Sequence, residues 1–153
     1  MPVGDQTYAR VGDIKDMFTN FPTRSTDSII GDSSINEQLY HSFQVINGRI
    51  AAFYETPILE STSPCSFRIL RELQTFYVAD VFWRVLNPQK SPDEGPRWDT
   101  KFTSLMDEIA PKKQGEYPKL LLTDANYIGT KIQRSIVSGS TDDPIFTKSG
   151  DQW

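Results

Sequence analysis

The chain of 153 residues holds one imidazole, His41, and one thiol, Cys65, and these two bound its nucleophilic chemistry. A Ser or Cys nucleophile needs a base within hydrogen-bond reach. Only His41 offers an imidazole, and it lies between Leu39 and Phe43 in a stretch of helical periodicity, where it reads as a helix flank or interface residue. Cys65 follows Pro64 at the expected head of a helix, where a thiol needs a partner base to act as a nucleophile. With no base beside it, Cys65 reads as a semi-buried small residue. One thiol closes no disulfide within the chain, and no Cys/His cluster builds a zinc site. The acid pairs Asp93-Glu94, Asp107-Glu108 and Asp142-Asp143 are adjacent, so on a helix their side chains diverge by about 100°. Asp13 and Asp16 stand one turn apart without further ligands nearby, and all these carboxylates are expected on solvated surface. Neither a GxxxxGK[ST] loop nor a GxGxxG turn occurs. The expectation is a protein that is not an enzyme, with no catalytic residue, no cofactor and no metal.

Charge narrows the partners. Sixteen basic residues are scattered among twenty acidic ones, for a net charge of −4, whereas duplex binders cluster Lys and Arg to neutralise phosphates. Tight DNA wrapping is not expected, while DNA sliding past an acidic wall is compatible with this balance. Phe76, Tyr77, Phe82 and Trp83 lack the interleaved basic residues of a base-stacking platform and read as core. In the tail, Lys131, Arg134 and Lys148 are the basic side chains available for such contacts. The opening residues Met1-Pro2-Val3-Gly4-Asp5 lack a leader pattern, and no apolar run approaches the ~20 residues of a membrane span. A cytoplasmic, reducing setting without membrane contact is expected.

The elements that would carry these residues are helical. Val11, Ile14, Met17 and Phe18 make one face of a short helix, with Asp13 as its expected cap and Pro22 beyond its end. Ile35, Leu39, Phe43, Ile46, Ile50 and Phe53 recur at intervals of four, four, three, four and three, a narrow apolar stripe running to about Tyr54. Ser34 and Glu37 match a capping box at its start. Ser63-Pro64 opens a third helix, because proline's missing N–H costs nothing in a first turn. Its apolar positions through Leu86 cover nearly the whole circumference, which predicts a central helix. Trp98, Phe102, Leu105 and Ile109 mark a shorter fourth helix that Pro111 ends. Lys119–Thr123 reads as either a short strand or a packed extended segment. The fold class is therefore mainly α: a small bundle of about four helices over residues 1–125, with an extended C-terminal tail over 126–153.

The tail keeps large apolar side chains without any period. An unused end would be depleted in them, so Ile136, Pro144, Ile145, Phe146 and Trp153 are the candidate docking residues, with another protein chain the expected receiver. Folding back on its own domain and a free tail are the two alternatives.

The order of motifs resembles a known family. Tyr8-x-x-Val11-x-Asp13-Ile14 opens a short helix and Ile35-Asn36 begins the long one. Ile46-Asn47-Gly48-Arg49-Ile50-Ala51-Ala52-Phe53-Tyr54 closes it, followed by Pro57-Ile58 and Ser63-Pro64. This pattern is similar to the head–tail connector proteins of tailed bacteriophages, also called adaptor or head-completion proteins. Their docking tails resemble Ile136–Trp153, with its Ser/Gly hinge, Pro-Ile-Phe and closing acidic-Trp. The resemblance implies a virion protein of the phage neck, made in the host cytoplasm, forming a homo-oligomeric ring of about twelve copies beneath the portal protein. Such a ring meets tail or neck proteins below and prolongs the channel through which packaged DNA passes without specific binding. Connectors share no fixed motif for channel-lining residues. A small helical adaptor that binds a cellular protein through its tail is the competing class, and a helical enzyme with an unrecognised site is a third.

Overall fold

In a computed structural model that describes residues 7–18, 31–113 and 115–128, four helices follow the order read from the apolar spacing. The first, α1 (Val11–Asp16), is entered through Arg10, whose backbone N–H donates to Asp13 Oδ2 at 2.8 Å. Asp13 thus does not stand at the cap, as its residue type suggested. It occupies the third helical position and reaches back to an N–H that the helix leaves without an internal partner. Nor is it merely solvated: Arg71 grips both of its carboxylate oxygens, at 2.9 and 2.7 Å.

The long helix α2 (Asp32–Ile50) begins earlier than Ile35, with Gly31 at the cap, so Ser34 lies inside the first turn and not at the head of a capping box. Asp32 in that first turn suits the positive end of the helix dipole, which lets the helix extend backwards through a polar stretch. At the other end it stops at Ile50, not Tyr54, because Phe53 and Tyr54 both turn their N–H groups onto Ile50 O at 2.9 Å. The apolar period nevertheless runs on, since Tyr54 is buried and Phe53 packs on the same core.

Helix α3 (Pro64–Leu86) touches each of the other three, as a central helix must. Its buried positions spread over more than half of the circumference, with exposed residues among them. Leu70, Leu73, Val78, Ala79 and Phe82 are buried, while Val85 is 44% exposed and Arg68, Glu72 and Arg84 face solvent. Helix α4 (Trp98–Ile109) buries Trp98, Met106 and Ile109, with Phe102 and Leu105 packed at the margin of the core. Between α3 and α4 a single 3-10 turn, Pro92–Glu94, brings Gly95 against the Trp83 ring, where a Cβ would stand 2.8 Å from Cη2.

One polar group crosses the core. Gln74 is fully buried; its Oε1 accepts from Ala9 N–H at 2.7 Å, and its Nε2 donates to Leu39 O and Ser42 Oγ at 2.6 and 2.9 Å. Every polar atom of that amide has a partner, which is the condition under which burial is tolerated. The three bonds tie the segment before α1, α2 and α3 into one arrangement.

After α4 the chain is extended and packed. Lys119 and Leu120 both donate backbone N–H to Glu108 O, at 2.8 and 3.0 Å. Leu122 is buried, and its N–H meets Tyr54 Oη at 3.1 Å. Among the described residues no β-strand forms; Tyr54 and Tyr127 make an isolated antiparallel bridge. Glu55 N–H donates to Asn126 O at 3.0 Å and Ile128 N–H to Phe53 O at 2.7 Å. Residues 126–128, which composition assigns to the tail, are therefore bonded to the helical domain.

Candidate functional site

Tyr8 organises one end of the bundle. The extended segment before α1 lays its ring between Phe43 of α2 and Phe67 of α3, with centroid separations of 4.9 and 5.3 Å. The hydroxyl donates to Asn47 Oδ1 at 2.5 Å and accepts from Ile58 N–H at 3.3 Å. Burial pushes the phenol up to about 12, against the smaller opposing effects of the Ile58 and Asn47 bonds. A hydroxyl that keeps its proton through neutral pH acts here as a fixed pin between α2 and the turn that follows it.

Beside this pin lies an open groove of about 710 Å³. Its floor is Tyr8, Phe43 and Phe67; the Pro57–Ser61 turn forms one wall, with Leu59 52% exposed. Arg10 and Glu60 also line it, and both are exposed. Rings below and single opposite charges beside them suit a short extended apolar segment with charged flanks.

The N-terminus of α3 is closed from far along the chain. Asp124 accepts from the backbone N–H groups of Cys65 and Ser66 at 2.8 and 2.9 Å, and from the Ser66 hydroxyl. Its own carbonyl takes the Ser63 hydroxyl at 2.8 Å. The Ser66 hydroxyl, with those two N–H groups, outweighs burial and holds the Asp124 carboxyl below its ordinary value. At the C-terminal end of α2, Arg49 donates to Ala110 O at 3.1 Å and to Asp107 at 2.5 Å, covering the carbonyl that follows α4.

The residues that could do chemistry are dispersed. His41 is exposed, its ring 6.5 Å from that of Tyr77. Cys65 is exposed rather than semi-buried, because the first turn of α3 is held by Asp124 through its backbone and leaves the side chain outside. Phe82 is core, whereas Phe76, Tyr77 and Trp83 are half-buried, with Lys101 Nζ 5.6 Å from the Phe76 centroid. Among the described residues no three His, Cys, Asp or Glu side chains converge on a metal-sized site, and no helix is long and apolar enough to cross a membrane. The candidate docking residues Ile136, Pro144, Ile145, Phe146 and Trp153, with Asp142-Asp143, Lys131, Arg134 and Lys148, lie outside the described residues.

The groove was not read from sequence. Its lining comes from four separate stretches, none with a motif of its own. The one available signal was Pro57-Ile58-Leu59, an apolar run between two helices where polar turn residues are the rule. No family model, curated protein or solved structure matches the chain.

Proposed function

We propose that the chain is a head–tail connector of tailed bacteriophages: a structural, non-catalytic virion protein that forms a ring at the neck between portal and tail. In that reading the ring, of about twelve copies under cyclic symmetry, prolongs the DNA channel and helps retain the packaged genome. The tail residues Ile136, Pro144, Ile145, Phe146 and Trp153 dock on neighbouring subunits, the portal among them. Tail or neck proteins meet the ring below.

One observation carries the reading, the order and spacing of the motifs. Residues on which the resemblance rests, Tyr8, Asn47 and Ile58, bond to one another, and Asp13, Arg49 and Ser63 bond to other parts of the bundle. Tyr8 of the first motif bonds Asn47 of the second and Ile58 of the third. Asp13 is locked to Arg71, Arg49 closes α4, and Ser63 bonds Asp124. These bonds show that the motif residues frame this chain's own bundle; the connector reading itself rests on the order and spacing of the motifs. The net charge of −4 fits a wall that DNA slides past, since a surface repelling phosphates does not hold the genome.

The deciding experiment is electron microscopy of assembled particles with this chain labelled. Density for a ring of this domain between portal and tail is the expected result; absence of the chain from the neck refutes the reading.

A further inference from the structure

The groove over Tyr8, Phe43 and Phe67 has a lining that suits a segment of this same chain. We infer that in the free protein Pro144-Ile145-Phe146 occupies this groove of its own molecule, so that the docking segment is covered until a partner displaces it. The inference rests on reading that segment as a docking element, as proposed above, and adds where it sits before docking.

Three observations converge on this occupant. The first is chemistry: the floor offers rings and the wall offers Leu59, half exposed at 52%, which an aliphatic–aromatic pair fills. Residues 1–6 contain no aromatic ring and no acidic pair. The second is charge. Asp142-Asp143 precede Pro144 and Lys148 follows Phe146, and the groove carries one exposed cation, Arg10, and one exposed anion, Glu60. Arg10 thus offers the acidic pair a group of opposite sign, and Glu60 offers one to Lys148.

The third is reach. Ile128 is bonded to Phe53 at 2.7 Å, and Phe53 is four residues from Pro57 of the groove wall, so at most ~14 Å of chain separates them. A coil running from Ile128 to Pro144 has a root-mean-square span of ~20–24 Å. A linker whose span matches its gap gives an effective concentration in the millimolar range. In a dilute solution that exceeds the concentration of any second copy, which is why the segment closes on its own molecule and not on a neighbour's. A crowded ring or a portal groove reverses the balance.

The test uses the full-length chain with Cys65→Ser, which removes the single native thiol. Leu59→Cys with Phe146→Cys places a thiol pair across the groove. Leu121→Cys with Phe146→Cys is the control, because Leu121 is also half exposed, at 50%, but does not line the groove. At low micromolar protein under mild oxidation, the groove pair should form a bond within one molecule at least about tenfold faster than the control. Arg10→Glu should slow it severalfold, and Asp142→Lys with Asp143→Lys should restore the rate. Equal rates for the two pairs, or a bond that joins two molecules at a concentration-dependent rate, overturns the inference. The connector reading fails by a different readout, the absence of the chain from the phage neck, so the two failures are distinguishable.

Discussion

Replacing Gln74 by methionine keeps the volume of the side chain and removes its hydrogen bonds. Ala9 N–H is then left inside the protein with no acceptor, since Ala9 and Gln74 are both fully buried. Leu39 O keeps the Ser42 hydroxyl at 2.9 Å, so the orphaned amide dominates the loss. An unsatisfied buried donor costs about 1–3 kcal/mol, and each further bond about 0.5–1.5 kcal/mol net. The Gln74→Met variant should therefore lose about 2–4 kcal/mol, read as a drop in Tm of roughly 8–15 °C by calorimetry or circular dichroism. Ser42→Ala should lose only about 1 kcal/mol, because Gln74 Nε2 still reaches Leu39 O. Gln74→Glu adds a sign test. Burial raises the pKa of the new carboxyl above its unfolded value, so the variant is most stable at low pH and loses stability as pH rises through the raised value. A methionine variant within about 0.5 kcal/mol of the parent would refute the reasoning, and would mean that the segment at Ala9 does not depend on Gln74.

Four further outcomes can be checked. Leu73→Ala, at a fully buried position of α3, should cost about 2–5 kcal/mol, against about 0.5 or less for exposed Lys90→Ala, by urea midpoint. Burial raises the Asp13 carboxyl, but the Arg71 and Arg10 bonds and charges together hold it below its ordinary value. Its contribution is therefore present above the unfolded pKa of about 3.9 and lost as pH falls through the folded one; the Tm gap between the parent and Asp13→Asn should narrow from pH 6 to pH 3. Truncation after Ala125 should lower Tm by several degrees more than truncation after Ile128, because only the shorter chain loses the Tyr127 contact with Tyr54 and the two bonds at Phe53 and Glu55. Phe146→Ser with Trp153→Ser should leave folding intact while removing the chain from purified filled heads, as read by immunoblot.

What the sequence disclosed was whatever repeats. The stripe Ile35, Leu39, Ile46 and Ile50 is buried as its spacing requires, and Pro64 and Pro111 bracket helices where proline's missing N–H dictates. Helix ends were less legible. Ser34 and Glu37 matched a capping pattern, yet the helix starts at Asp32, because a local motif competes with whatever the preceding residues can also cap. The capping acid that matters for α3 is Asp124, and the acceptor that matters for Ala9 is Gln74. Such pairings across a long sequence gap leave no period to detect. The groove was hidden for the same reason: Arg10, Phe43, Leu59 and Phe67 meet only after the bundle forms.

The attachment of the last described residues also decides where mechanical load enters the molecule. A pull on the chain beyond Ile128 first meets the Ile128–Phe53 bond, then the Glu55–Asn126 bond, both on the turn that leaves α2. Should those part, the strain passes to Asp124, and through its carboxylate to the first turn of α3. The central helix thus takes up load before buried Leu122 and the bonds of Lys119 and Leu120 to α4. Tension on a docked tail would be shared between α3, through Asp124, and α4, through Glu108, and the two bonds ahead of them would act as a sacrificial tether.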